Sequence, residues 1–137
     1  MSLQFSTAVR NALLDIIETT IGASAVLKIF SGAAPADCAT ADAGTMLANL
    51  ALPADWMAAA SAGSKAKAGA WEDASADAGA PTDAGHFRIY ASDGTTCHMQ
   101  GSITATGGGG DMTLDSIAIT AGQAILITGF TLTAPGA

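Results

Sequence analysis

The sequence predicts a mainly β protein, an antiparallel β-sandwich or jelly roll that follows one N-terminal α-helix. Up to Gly22 the apolar residues recur with a helical period. Beyond it, short stretches alternate apolar and polar residues, as strands do when one face is buried, and turn signals separate them. Seven or eight such strands are typical of a sandwich or jelly roll. We therefore expect one domain over residues 1–137, with the helix in 1–22 and the sandwich in 23–137.

Residues 3–21 are predicted to form an amphipathic helix that Ser2 caps and Gly22 ends. An apolar residue recurs at every fourth position along it: Phe5, Val9, Leu13 and Ile17. Such a stripe packs either on the protein's own sheet or on a neighbouring subunit. The pattern alone leaves both open.

Strands are expected in five parts of the chain: residues 25–31, 45–52, 65–71, 86–106 and 111–133. The stretch 65–71 is predicted to be an exposed strand. Residues 32–44 and 72–85 are small and polar and are predicted to be loops. The stretch AILIT at 124–128 is apolar on both faces, which predicts cover on both sides, from a second sheet or another subunit.

The clearest hairpin surrounds a three-residue loop at 92–94. This loop would set Ile89 opposite Cys97 and Phe87 opposite Met99, so that apolar side chains share one face. The other face of the hairpin would then be polar and exposed to water.

Four consecutive glycines at residues 107–110 are the feature most like a ligand-binding loop. A phosphate loop needs a following lysine and a helix, because its backbone amides and the lysine together hold the phosphate. Here Asp111 follows, and the next stretch alternates as a strand. The run is therefore predicted to be a mobile connection between strands.

No other motif predicts catalysis or a cofactor. His86 and His98 would be diagonal neighbours on the polar face, but Arg88 would repel a cation there and no third ligand has suitable spacing. The stretch at 64–67 matches S-x-x-K, yet its partner motifs are missing. We predict a non-enzymatic protein without metal or cofactor.

The composition of the chain favours protein partners over nucleic acid and membranes. The chain carries a net charge of -7, and its five basic residues form no patch, which disfavours nucleic acid and anionic membranes. Leu, Ile, Val and Phe supply only 26 of 137 residues, a thin core of the kind that partners often stabilise. No targeting or membrane-spanning segment is expected. Cys38 and Cys97 are expected to be reduced thiols, with a single bridge left open.

Several stretches resemble the small virion proteins of tailed bacteriophages, nearest the jelly-roll capsid cement (decoration) proteins. They include MSLQFSTAVRNALLD, GHFRIYASDGTTCHMQGSITATGGGGDMTLD and ITAGQAILITGFTLT. The resemblance implies a small β domain, made in the host cytoplasm, that binds between major capsid subunits on the capsid exterior, often as a dimer. It carries over no functional residues.

The function expected from the sequence is therefore capsid cement with self-association into a dimer or larger assembly. A phage tail or fibre component is one alternative. Another is a carbohydrate-binding β-sandwich, with Trp56, Trp71 and Tyr90 as a sugar platform. The residues expected at the protein interface are apolar or aromatic: Phe5, Val9, Leu13, Trp56, Met57 and Trp71.

Overall fold

The computed structural model describes residues 3–77 and 82–137, and within them the protein is mainly β with one N-terminal helix, α1 (Thr7–Ile21). The strands are β1 (Val26–Ser31), β2 (Met46–Ala51), β3 (Ser64–Ala66), β4 (Trp71–Asp73), β5 (Thr82–Tyr90), β6 (Cys97–Ala105), β7 (Met112–Leu114), β8 (Ala118–Ile119), β9 (Ile125–Ile127) and β10 (Thr131–Thr133). No helix in the described ranges is long and apolar enough to span a membrane.

The helix begins later than predicted. Ser6 is the N-cap, and its hydroxyl oxygen accepts a hydrogen bond from the Val9 amide at 3.2 Å. Ser2, the predicted cap, lies outside the described residues. The end is as predicted, because Gly22 adopts a φ of 91° and its amide donates to the Glu18 carbonyl.

The main sheet has the strand order β2–β1–β5–β6–β7, with β8 paired to the start of β5. Its pairs are antiparallel except β6–β7, which is parallel. Two short antiparallel ladders, β10–β3 and β4–β9, complete the strand pairing of the described chain. The predicted strands in 25–31 and 45–52 are confirmed as β1 and β2.

The hairpin joins the predicted strands, but its predicted register is wrong by two residues. Ile89 lies opposite Met99, not Cys97, and a bulge follows Ile89. The loop is longer because the Asp93 carboxylate accepts hydrogen bonds from the Thr95 and Thr96 amides, which organises residues 91–96 as a turn of their own. The added residues and the bulge bring Cys97 into the cleft that Arg88 also lines.

The core lies against the inner face of the sheet, and it contains three of the predicted interface residues. Trp56, Met57 and Trp71 are at most 1% exposed, so the prediction that they lie at a protein interface is wrong for the folded chain. The Trp56 indole donates to the Gly22 carbonyl, and the Trp71 indole donates to the Trp56 carbonyl. With their polar atoms satisfied inside the chain, these large side chains are stable core residues.

One other expectation about exposure is wrong, and a second is confirmed for one face of its strand only, where cover of the other face by another subunit stays a prediction. Lys65 is 2% exposed, although its strand was expected to lie on the surface. In β9, Ile125 and Ile127 are buried, but Leu126 between them is 55% exposed. This chain therefore covers only one face of the AILIT strand.

Candidate functional site

The charged side chains of α1 point towards the body of the protein. Asp15 and Glu18 both bind the buried Lys65 ammonium, at 2.7 and 2.9 Å. The Arg10 guanidinium donates to the Ala134 carbonyl at 3.0 Å, and the Asn11 side chain accepts from a backbone amide at 2.9 Å. The polar side of this helix is thus its attachment to β3 and the C-terminal segment.

These contacts shift the ionisation of the lysine and its partner. The hydrogen bond from Lys65 is the main cause that lowers the pKa of Asp15. Burial alone would lower the pKa of Lys65, but hydrogen bonds to Asp15 and Glu18 outweigh it and raise that pKa. The ion pairs are therefore complete at neutral pH.

The opposite side of α1 faces solvent and carries no charge. Its exposed residues are all small, apolar or threonine: Ala8, Val9, Ala12, Leu13, Ile16, Thr19 and Thr20. We call these seven residues the outward face. Val9 and Leu13 are each 43% exposed and Ile16 is 54% exposed, while Phe5, just before the helix, is 38% exposed.

The predicted stripe therefore splits between two sides of the helix. Ile17 packs against the core, on the same side as the buried Leu14 and Ile21, whereas Phe5, Val9 and Leu13 remain exposed. Packing within the chain is thus confirmed for one side of the helix, and packing on a neighbouring subunit stays a prediction for the other. The apolar outward face is a candidate surface for protein–protein contact.

A second polar region lies on the outer face of the sheet, where Arg88 is 1% exposed. Its guanidinium contacts the Asp42 carboxylate at 2.5 Å and donates to the carbonyls of Asp37, Cys38 and Thr40 at 3.2, 2.9 and 2.9 Å. These contacts fasten the loop at 32–44 over β5. The predicted polar face is present, and the loop covers the part of it around Arg88, whereas Ser102 remains exposed.

The titratable groups beside Arg88 are held in their protonated forms. Burial and a hydrogen bond to Asp42 raise the pKa of Tyr90. Burial also raises the pKa of Cys97 to about 11, so its thiol stays protonated at neutral pH and is a weak nucleophile. Cys38 and Cys97 are both free and line a cleft of about 290 Å³ with Arg88. The cluster is thus best explained as a structural attachment.

The two histidines lie apart and in different environments, because His86 is buried and His98 is exposed. His86 is buried, its Nδ1 lies 2.8 Å from the Gly32 carbonyl oxygen, and its ring stacks on Phe30. It pairs with Ser102, four positions along β6 from the exposed His98, so the predicted diagonal neighbours do not meet. The described residues contain no group of three His, Cys, Asp or Glu residues able to hold a metal ion.

The glycine run connects β6 to β7, as predicted, and no helix follows it. The Gly110 amide donates to the Thr104 hydroxyl at 2.9 Å, so the run is fastened to β6. A Cβ atom on Gly108 would lie 2.7 Å from the Thr104 Cβ. The glycines thus allow the loop to pack closely on the strand that it leaves, so that β7 can return parallel to β6.

A further cleft, of about 470 Å³, lies between β6 and β10. Met99 and Gln100 line one side, Leu132 lines the other, and Phe87 and Phe130 also contribute. Within the described chain β10 pairs only with β3, and β7 pairs only with the far end of β6. One edge of each strand at this cleft is thus without a strand partner.

Comparison of the chain with protein-family models, with curated proteins and with solved structures finds no match to any of them. A function must therefore be inferred from the surfaces described above. Of these, the outward face of α1 is the clearest, because its chemistry differs most from that of an ordinary solvated helix.

Proposed function

We propose that the protein is a non-enzymatic virion structural protein of a tailed phage, a capsid cement protein that bridges and stabilises major capsid subunits on the capsid exterior. The observation that carries the proposal is the outward face of α1. An uncharged, largely apolar helix face on a chain of net charge -7 favours a protein partner over water. The proposed partners include neither nucleic acid nor membrane.

The jelly-roll fold of the cement proteins is part of the same proposal. The antiparallel strands β2, β1, β5 and β6 support it, because they lie in one sheet, which would be the first sheet of the sandwich. The short ladders β10–β3 and β4–β9 would belong to the second sheet of the sandwich. The parallel pairing of β6 with β7 is a departure from an antiparallel jelly roll.

A carbohydrate-binding module is the weaker alternative. The three aromatic residues that would form its sugar platform, Trp56, Trp71 and Tyr90, are at most 1% exposed. A stacking platform needs exposed aromatic faces, so these residues do not support it. A tail or fibre component would use the same kind of apolar contact surface and is separated from cement by its copy number.

Quantitative mass spectrometry of purified virions tests the proposal. A cement protein should be present in hundreds of copies per particle, and its addition to shells that lack it should raise their melting temperature. A few to dozens of copies per particle would instead identify a tail component. Absence from purified virions would contradict both virion functions.

A further inference from the structure

We propose that the cleft between β6 and β10 binds an extended segment of another protein, which pairs as a β-strand with both of them. This inference concerns a surface apart from α1, and it stands whether or not the protein binds a capsid. It is carried by the free edges of the two strands, by the apolar lining of the cleft and by the charge beside it.

The backbone of β6 has a free edge at the cleft. The Ser102 amide donates to the Asp111 carboxylate at 3.0 Å, so it points away from β5. Because every second residue of a strand directs its backbone groups to the same side, the amide and carbonyl of Gln100 point the same way. The pairing of β6 with β7 begins only at Ile103, so within the described chain no strand lies beside Gln100 at this edge. β6 also contains no lysine or proline, the residues that commonly protect such an edge.

The backbone of β10 has a free edge at the same cleft. The Lys67 amide donates to the Phe130 carbonyl at 2.9 Å, which shows that Phe130 and Leu132 direct their backbone groups towards β3. Thr131 and Thr133 have the opposite parity, so they direct their amides and carbonyls away from β3, and both line the cleft. The two strands thus present donors and acceptors to one space from two sides.

These edges define the chemistry of the occupant. An extended polypeptide carries donors and acceptors along both of its edges, so one segment can satisfy both strands at once. A small apolar molecule would instead leave these groups unpaired, which costs free energy when they are buried. Phe87 and Phe130 are at most 5% exposed, and Met99 and Leu132 pack partly buried against the core. Every second side chain of the segment should therefore be apolar, to cover this lining.

The charge beside the cleft selects among such segments. Asp111 is the charged residue in the lining, and the chain as a whole carries a net charge of -7. A segment with a lysine or arginine near Asp111 is therefore favoured, whereas an acidic segment is repelled. The cleft volume of about 470 Å³ lies within the range of sites that hold a ligand.

Isothermal titration calorimetry with a synthetic peptide tests the proposal. The probe is the acetylated and amidated peptide Lys-Thr-Val-Thr-Val-Lys, whose valines can cover the apolar lining and whose terminal lysines can reach Asp111. The matched control is the same peptide with both valine amides N-methylated, which keeps the side chains but cannot pair along one edge. The probe should bind, and the control should bind about tenfold more weakly or worse, because it loses hydrogen bonds to one strand.

Amide hydrogen exchange measured by NMR locates the bound peptide. The amides of Gln100, Thr131 and Thr133 should exchange quickly in the free chain and become protected when the probe is added. Thr133→Pro removes an amide at the free edge and should weaken binding about tenfold, whereas Thr133→Ala keeps the amide and should bind as wild type does. Asp111→Asn should weaken binding about twofold to fivefold, because an exposed ion pair contributes little. Thermal melting checks that each variant is folded.

Three outcomes would overturn the proposal. No binding of the probe at millimolar concentration removes the site. Equal binding of the probe and its N-methylated control means that the cleft holds apolar side chains without strand pairing. Protection of the Thr131 and Thr133 amides before any peptide is added means that the edge is already paired, within the chain or with a second copy. None of these measurements involves virions, so they leave the proposed capsid function to its own test.

Discussion

The Arg88 cluster and helix α1 differ in which kind of side chain lies where the sequence predicts an exposed surface. Around Arg88, a charged side chain is buried on a sheet face that the sequence predicts to be exposed, and backbone carbonyls of the covering loop surround it. On α1, apolar side chains are exposed, and the charged ones turn inwards to Lys65 and Ala134. Most polar groups of the Arg88 cluster find hydrogen-bond partners within the chain, whereas α1 leaves apolar side chains exposed to solvent.

The difference shows which surface is the better candidate for contact with another molecule. Most of the hydrogen bonds of the Arg88 cluster are made inside the chain, although Arg88 Nε, His86 Nε2 and Gln100 Oε1 lack partners within the described residues. A buried cluster of this kind fixes the position of a loop more than it adds stability. The outward face of α1 has no comparable cover within the described residues, which supports the proposed contact with a protein partner.

The largest effect is expected when the Arg88 cluster is broken. Arg88→Ala removes the guanidinium that holds Asp42 and three carbonyls, and we expect the free energy of unfolding to fall by about 3 kcal/mol. Urea denaturation followed by circular dichroism measures this change. Lys67→Ala is the control: it removes a hydrogen bond to the Gly69 carbonyl and an ammonium 5.8 Å from the centre of the Trp71 ring, and it should cost less than about 1 kcal/mol. Equal effects of the two changes would mean that the cluster does not hold the loop.

An intermediate effect is expected at the inner side of α1. Lys65→Met keeps the buried aliphatic chain but removes the ammonium, and it should lower the free energy of unfolding by about 1–2 kcal/mol. The cost is smaller than for a fully buried pair because Asp15, with 48% of its side chain exposed, regains water. Denaturant titration at pH 7 measures the change.

The same ion pairs predict how stability depends on pH. The pKa of Asp15 is lowered on folding, so its contribution is present above its unfolded value near ~3.9 and is lost as pH falls through the folded value. The pKa of Lys65 is raised, so its contribution is present below its unfolded value and is lost as pH rises through the folded value. Lys65→Met should make the decline of melting temperature below about pH 4 shallower than in wild type. An unchanged acid profile would contradict the pairing.

The smallest effect on the single chain is expected at the outward face. Leu13→Ser in the isolated chain should change the free energy of unfolding by less than about 0.5 kcal/mol, because the side chain is exposed there. A loss of 2 kcal/mol or more in the monomer would show that Leu13 packs inside its own chain. The contrast between α1 and the Arg88 cluster would then disappear.

Local patterns in the sequence predicted the positions of helices and strands better than they predicted which segments those elements pair with. The alternation in β1 and the end of α1 at Gly22 depend on neighbouring residues, and both are confirmed. The hairpin register depended on the Asp93 side chain, which competes for backbone amides in a way that alternation does not encode. The placement of β1 between β2 and β5 joins distant segments, and no local pattern specifies it.

The candidate surfaces were predicted only in part, for a related reason. Phe5, Val9 and Leu13 are exposed, whereas Trp56, Met57 and Trp71 are core residues, because an indole between small residues serves a core and an interface equally well. The roles of Arg88 and Lys65 were missed, since each buried cation has partners far away in the sequence. The one local signal was a cation inside an alternating strand.

The position of β1 also affects how the chain folds during synthesis. His86 lies within β5, the second partner strand of β1, 54 positions beyond Gly32, whose carbonyl it contacts. The hairpin of β1 and β2 is complete at Ala51, and β5 ends at Tyr90, 39 residues later. At ordinary translation rates the hairpin must therefore wait roughly 2–8 s for β5. During this time the inward face of β1 and the buried side of α1, with Leu14 and Ile21, are both exposed to solvent. Slow translation between residues 51 and 86 should therefore increase aggregation of the nascent chain, whereas slow translation after β6 should have little effect.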